Sequence, residues 1–170
     1  EFIKNGFPNK RIEDWKFSDL NQIISSNIKE LKFFNDKTIP DEFDQSILIN
    51  SLDHNKIILI NGLIFKFDFN YEEKNKIEII NTHETEDFNS KNSLVSLNNA
   101  LKCNYVKLTI KENYSLNKPL IIYNITNKKL KSNTINQRID FILKKNSSLK
   151  LVNLFDDSSN NNFININYQF

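Results

Sequence analysis

Two histidines and one cysteine are the residues of this chain best suited to hold a metal or attack a substrate, and their spacing suits neither task. His54 and His83 lie 29 residues apart without a cysteine or further histidine at ligand spacing, whereas a zinc site gathers three or four ligands around one point. They read as ordinary surface histidines. Cys103 has no assignable histidine and carboxamide or carboxylate partner, which is the setting of a packed thiol and not of an activated nucleophile. Being single, it also excludes an internal disulfide. Asp156-Asp157, followed by Ser158-Ser159 and Asn160 to Asn162, imitates a calcium loop but lacks its glycine and its distal bidentate glutamate, so a solvated turn is expected there. Glu72-Glu73 and the group Glu84, Glu86 and Asp87 fall on polar connections and read as solvated surface. Gly6 and Gly62, the two glycines, sit in no phosphate-cradling pattern. No catalytic, cofactor-binding or metal-ligating residue is assigned, and the chain is expected not to be an enzyme.

The elements that would position any site are helical first and β afterwards. Residues 1–35 read as helical: Ser18 or Asp19 can cap a segment in which Leu20, Ile23, Ile24 and Ile28 follow helical spacing and Leu31 continues the stripe. Ahead of it Pro8 fixes a turn, and Trp15 with Phe17 would anchor the segment to what lies beneath. Residues 36–55, with Pro40, suit a loop holding one short helical turn. Lys56-Ile-Ile-Leu-Ile-Asn61-Gly62-Leu-Ile-Phe-Lys-Phe67 places two apolar runs around Asn-Gly, the preferred pair of a type I′ turn, and predicts a β-hairpin. Ile77 to Ile80 add a strand, residues 81–93 a surface connection, and Leu94, Leu97 and Leu101 a helix over 93–101.

From Tyr105 the pattern is β throughout and contains an echo. Leu108-Thr-Ile-Lys-Glu-Asn-Tyr-Ser-Leu116 matches Phe141-Ile-Leu-Lys-Lys-Asn-Ser-Ser-Leu149 at an offset of 33 residues, with Lys111/Lys144, Asn113/Asn146, Ser115/Ser148 and Leu116/Leu149 identical. Strand–turn–strand units that bury their faces by stacking on one another mark a solenoid. The repeat therefore favours a right-handed β-helix or a stacked β-sandwich over an α/β domain.

Composition bounds the rest. The chain has 170 residues, enough for one domain or for a small domain and the start of another, and 39% of them are hydrophobic, enough for a core. A formal charge of +2 with interleaved signs gives no basic face for nucleic acid. The 29 Asn and 24 Ile against a single Ala follow A/T-rich codons, so the Asn excess reads as drift and not as a prion-like tract. With glycine scarce, Asn is expected at backbone positions needing φ > 0. No apolar run is long enough to span a membrane, and no secretion signal precedes Gly6, so a reducing, soluble compartment is expected. The absence of Met and the period-two alternation of Phe163-Ile-Asn-Ile-Asn-Tyr-Gln-Phe170 lead to the expectation that the polypeptide continues beyond this segment.

Three segments in order resemble the SufB/SufD family of iron–sulfur cluster assembly proteins, and SufD-type members in particular. Gly6-Phe-Pro-Asn-Lys-Arg-Ile-Glu-Asp-Trp-Lys-Phe-Ser-Asp-Leu20 is similar to the SufD opening, Gly-x-Pro-x-Arg/Lys-Arg/Lys-x-Glu-x-Trp-Lys-Tyr/Phe-Thr/Ser-x-Leu. Ile57 to Phe65 resembles the family's strand–Asn/Asp-Gly–strand hairpin. Leu97-Asn-Asn-Ala-Leu101, then Leu116-Asn-Lys-Pro-Leu-Ile-Ile-Tyr123, resembles the passage into its β-helix. The resemblance implies an α+β, mostly β chain: an amino-terminal helical and hairpin domain over 1–103, then the start of a right-handed parallel β-helix over 104–170. It implies a non-catalytic scaffold subunit of a SufBCD-type complex, in the cytoplasm or an organelle stroma or matrix. The subunit would pair with a SufB-like paralogue and a SufC-like ATPase through contacts mostly beyond residue 170, with no nucleic acid or membrane partner. The segment would bind no cofactor; the iron–sulfur cluster is handled by the whole complex. The family's functional histidine and ATPase-binding helices have no counterpart here, so no site residue is carried over. Arg11, Glu13 and Trp15 match the motif and read as packing, with Arg11 and Glu13 pairing across the turn.

The alternative is a carbohydrate-active β-helix enzyme. It would need carboxylates aligned on successive coils, and Asp140, Asp156 and Asp157 are the only acids from the second repeat onward.

Overall fold

The computed structural model describes residues 2–33, 43–82, 90–101, 105–156 and 161–170. His83, Cys103, Pro40, Asp157 and the group Glu84, Glu86 and Asp87 lie outside the described residues. The described residues include three α-helices and nine strands: α1 (Phe2–Asn5), α2 (Leu20–Asn27), β1 (Lys32–Phe33), β2 (Asn55–Ile60), β3 (Leu63–Asp68), β4 (Ile77–Thr82), α3 (Ser93–Leu101), β5 (Tyr105–Ile110), β6 (Leu120–Ile125), β7 (Asn133–Leu143), β8 (Leu151–Asp156) and β9 (Phe163–Gln169). The class is α+β and mostly β.

The strands form two mixed sheets. One contains β4, β5, β7 and β9, with the short β1 beside the start of β7; the other runs β3-β2-β6-β8. From β5 onward, consecutive strands alternate between the sheets, and each pairs in parallel with the strand two places on: β5 with β7, β7 with β9, β6 with β8. The antiparallel pairs are the hairpin β2–β3 and the contact of β4 with β5.

Alternation along the strands places the core. Ile57, Leu59, Val106, Leu108, Leu120, Ile122, Ile139 and Phe141 meet between the two sheets, and all are buried. Full burial of such a side chain contributes about 1.5–3 kcal/mol. The alternate residues of β2 and β6, namely Ile58, Ile60, Ile121, Tyr123 and Ile125, form a second apolar layer on the outer face. Phe43, Ile47, Leu48 and Ile49 are laid over it. That cover explains why β2 and β6 are apolar in continuous runs: both of their faces are buried. The outer face of the other sheet is polar and carries α3. The Asn98 amide of α3 donates to the carbonyls of Gln137 and Asn165 at 2.8 and 2.7 Å, and Asn165 donates back to the Leu94 carbonyl at 2.9 Å.

Several sequence expectations are met at residue level. The hairpin turns on Asn61 (φ 52°) and Gly62 (φ 83°), the doubly positive geometry of a type I′ turn. Asp19 caps α2, accepting from the Gln22 amide at 3.0 Å, and a single 3₁₀ turn (Gln45–Ile47) sits in the loop before β2. Of the six non-glycine residues at positive φ among the described residues, four are Asn, as the glycine shortage requires.

The echo is a physical ladder. Leu108 pairs with Phe141 in the sheet; the Asn146 amide donates to Asn113 Oδ1 at 2.9 Å, and the Ser148 hydroxyl to that of Ser115 at 2.7 Å. Asn113 and Asn146 hold φ of 56° and 57°. Left-handed backbone costs a residue with a Cβ about 1–2 kcal/mol, and Asn tolerates it best. Asn146→Ala is therefore expected to lower unfolding free energy by about 1 kcal/mol in urea denaturation, while Asn146→Gly stays within about 0.5 kcal/mol of the parent. Equal losses in the two variants would place the cost in the Asn113 hydrogen bond instead.

The amino-terminal third departs from expectation. Among the described residues of 1–35 helix is limited to α1, the 3₁₀ segment Glu13–Trp15 and α2, and α2 ends because Lys29 turns to φ 66° and its amide, with that of Ile28, returns to the Ile24 carbonyl. Lys32 and Phe33 then join β7 as a strand. Ile23 is exposed, so Leu20 and Ile24 carry the buried face of α2. Phe17 is 87% exposed and anchors nothing. The anchors are Phe2, Phe7 and Phe163, stacked edge to face, with the Leu20 amide bonded to the Pro8 carbonyl at 3.1 Å.

Candidate functional site

A densely bonded polar group is Glu72, in the connection after β3. Expected as solvated surface, it is instead buried, at 8% exposure. Its Oε1 accepts from the Asn55 side chain (2.6 Å) and the Lys118 amide (3.1 Å); its Oε2 accepts from the Tyr114 hydroxyl (2.8 Å), the Asn117 amide (3.0 Å) and the Asn117 side chain (3.2 Å). The carboxylate thus ties the return of the hairpin to the turn between β5 and β6. Burial pushes its pKa up. The donors of Asn117, Asn55, Tyr114 and Lys118 outweigh that, and the carboxyl is held below its ordinary value. A carboxylate so saturated is a structural acceptor and not a proton donor to a substrate. Glu73 beside it is exposed, as expected.

His54 is likewise no surface residue. It is buried under the second apolar layer, with Nδ1 at 2.7 Å from the Leu52 carbonyl and Nε2 at 2.9 Å from the Tyr123 hydroxyl. The Ile49 amide donates to the same hydroxyl at 3.1 Å. The consistent assignment has Nδ1–H donating to Leu52 and Tyr123 donating to Nε2. Both ring nitrogens are spent on pinning the loop before β2, which leaves none for a metal.

On the outer face of β7, Arg138 and Asp140 stand two residues apart on the same side. Arg138 Nε and Nη2 donate to the two carboxylate oxygens at 2.8 and 2.9 Å, Nη2 also reaches Gln169 at 2.7 Å, and the Tyr105 hydroxyl donates to Asp140 at 2.6 Å. Asp156 ends β8, in the other sheet. The two described carboxylates of the set that a carbohydrate-active enzyme would need are not brought together: Asp140 is engaged by Arg138 and Tyr105, and Asp156 is on a different sheet. Among the described residues no group of three or more His, Cys, Asp or Glu side chains converges as a metal site would require. Arg11 and Glu13 are exposed and, among the described residues, form no ion pair with each other; Trp15 is half-buried.

A different kind of feature lies at the β8 and β9 side. Among the described residues β8 is the outermost strand of its sheet, and β9 pairs only with β7. Val152 and Phe155 on β8 are 42% and 56% exposed, and Phe170 is 73% exposed while stacked on Phe141 at 4.8 Å. Open backbone edges flanked by exposed apolar side chains are templates for further strand pairing.

Taken together, the chain is a mostly β protein of two face-to-face mixed sheets, with polar side chains committed to internal clamps and an open strand edge. No family model and no curated protein matches it. Among the described residues no helix is long and apolar enough to cross a membrane.

Proposed function

We propose that this chain is the amino-terminal part of a SufD-type subunit, a non-catalytic scaffold in a SufBCD-type complex that assembles iron–sulfur clusters. The observation that carries the reading is the alternation of β5 to β9 between two sheets with parallel pairing of every second strand, which is how the coils of a β-helix advance. With the Gly6 to Leu20 motif ahead of it, this order corresponds to the helical and hairpin domain followed by a right-handed parallel β-helix that the family resemblance implies. The commitment of Glu72, His54 and Asp140 to structural bonds supports a role exercised through surfaces. In this reading the partners are a SufB-like paralogue and a SufC-like ATPase, met mostly beyond residue 170. The cluster is cargo of the assembly, and the compartment is the cytoplasm or an organelle stroma or matrix.

The test is affinity purification of the full-length protein from its own cells. The expected result is a stable complex containing an ATP-binding-cassette ATPase and a second β-helix chain. Recovery as a lone monomer at concentrations where subunit complexes persist overturns the assignment.

A further inference from the structure

The loop laid over the outer face of β2 and β6 is a strap with one polar tie. Phe43, Ile47, Leu48 and Ile49 are half-buried and cover the second apolar layer, Tyr123 included. The strap's other hydrogen bonds are its own: the Leu48 amide donates to the Gln45 carbonyl at 3.1 Å, and Asp44 accepts from the amide and hydroxyl of Ser46 at 3.0 and 2.6 Å. Among the described residues, its one hydrogen bond to the rest of the chain runs from the Ile49 amide to the Tyr123 hydroxyl, at 3.1 Å. A segment held by a few apolar contacts and a single bond opens at lower cost than the sheet it covers.

That hydroxyl is shared with a titratable ring. With His54 neutral every group is used once: Nδ1–H donates to Leu52, Tyr123 donates to Nε2, and the Tyr123 oxygen accepts from Ile49. Protonation makes both ring nitrogens donors. Nδ1–H keeps the Leu52 carbonyl, but Nε2–H then points at an oxygen that already accepts from Ile49. The phenolic hydrogen must turn away into the apolar layer, and a buried donor without an acceptor costs free energy. Lifting the strap relieves the conflict by letting water reach the ring and the hydroxyl. The neutral ring is the form the closed strap binds, so closure holds at neutral pH and weakens as pH falls.

The surrounding charges do not remove the conflict. Asp53, beside the ring, is exposed and forms no hydrogen bond with His54 or Tyr123; it accepts from Tyr71 at 3.0 Å and Lys118 at 3.4 Å. Those bonds, and more weakly the His54 charge, hold its carboxyl below the ordinary value. The attraction makes an imidazolium tolerable there without supplying the acceptor that Tyr123 would lack. Asp44 on the strap is exposed and attracted to Lys128, β2 brings Lys56 paired with Asp68 at 4.0 Å, and β6 carries no charged side chain.

We propose that His54 is a proton-operated latch: mild acid breaks the tie through Tyr123 and releases the Phe43 to Ile49 strap from β2 and β6. Imidazole is the side chain suited to such a switch, since it changes charge in the mildly acidic range.

Hydrogen exchange of the full-length protein tests this. Corrected for the pH dependence of the chemical step, protection of the Ile49 amide is expected to fall about tenfold between about pH 7.5 and pH 5, the effect of one lost buried hydrogen bond. The amides of β7 should keep their protection. Glu72 titrates below this window, so its network stays ionised throughout. His54→Gln can still donate to Leu52 and accept from Tyr123 but does not titrate, and should abolish the response. Tyr123→Phe removes the shared hydroxyl and should leave Ile49 weakly protected at both pH values. His83→Gln, at the other histidine, should respond as the parent does. Unchanged Ile49 protection in the parent, an equal fall across β7, or a response that persists in His54→Gln or disappears in His83→Gln would each overturn the latch. So would strong protection in Tyr123→Phe that still falls with acid. None of these readouts depends on a protein partner, so the latch and the scaffold assignment stand or fall separately.

Discussion

Glu72→Ala is expected to lower unfolding free energy by about 3–5 kcal/mol, because a charged acceptor of several hydrogen bonds is removed and buried donors are left unpaired at about 1–3 kcal/mol each. The size follows from what is left behind. Both oxygens of Glu72 are used, and the donors facing them come from Asn55, Tyr114, Asn117 and Lys118. Without the carboxylate the buried donors of Asn55 and Tyr114 lose their acceptor, each costing about 1–3 kcal/mol if nothing replaces the bond, while the exposed Asn117 can turn to water. Local rearrangement and water entry reduce the sum. Glu72→Gln keeps the shape but turns one acceptor into a donor facing the donors already there, and should cost about 2 kcal/mol or more. The same network sets a pH dependence. Because the folded-state pKa lies below the ordinary value of 4.5, the unfolded chain takes up the proton first as pH falls. The stability contributed by ionised Glu72 is complete above about pH 4.5 and disappears below it, as pH passes through the folded-state value. Thermal melts of parent and Glu72→Gln between pH 3 and pH 7 check this: the parent should lose stability more steeply below about pH 4.5. Parallel curves for the two proteins would remove Glu72 from the account.

What the sequence made legible is what short-range physics decides. Asn61-Gly62 between apolar runs specifies its own turn, because two consecutive positive φ values suit few other residue pairs. The bounds of α3 follow from the spacing of its leucines. The echo at 33 residues is legible because identical Asn and Ser side chains bond to one another across it. Misreadings occur where burial comes from distant segments. Glu72 sits in a polar run, and nothing nearby announces that residues 114–118 will close over it. His54 follows a polar stretch, and its burial depends on Phe43 to Ile49 being laid across β2 and β6. Phe17 has the residue type of an anchor but is exposed, whereas the edge contact that ties this segment to β9 is made by Phe7 and Phe163. Arg11 and Glu13 are two apart, a spacing at which side chains pair on a strand but diverge on the turn that carries them into the 3₁₀ segment Glu13–Trp15. On β7, in contrast, the same spacing places Arg138 and Asp140 in bidentate contact.

Gly62→Ala should cost about 2–4 kcal/mol, although it adds a single methyl group. Two separate penalties combine. The residue holds φ at 83°, where a Cβ costs about 1–2 kcal/mol. A Cβ built there also stands 2.9 Å from Ile135 Cγ2 and 3.9 Å from Gln137 Cβ. The first contact is far inside van der Waals distance, and its partner is the inner branch of a buried side chain on β7, where overpacking costs about 1–3 kcal/mol. The turn of the hairpin is thus pressed against the opposite sheet, so a change there propagates into the core and not only into the loop. The penalties can be separated because they have different partners. Ile135→Leu removes Cγ2 while conserving volume, a change expected to cost less than about 1.5 kcal/mol alone. In the double variant the steric part should be relieved and the backbone part retained, giving a coupling of about 1 kcal/mol or more in a double-mutant cycle measured by urea denaturation. Strict additivity would mean that the hairpin shifts away from β7 at little cost, leaving φ as the whole reason for glycine at position 62.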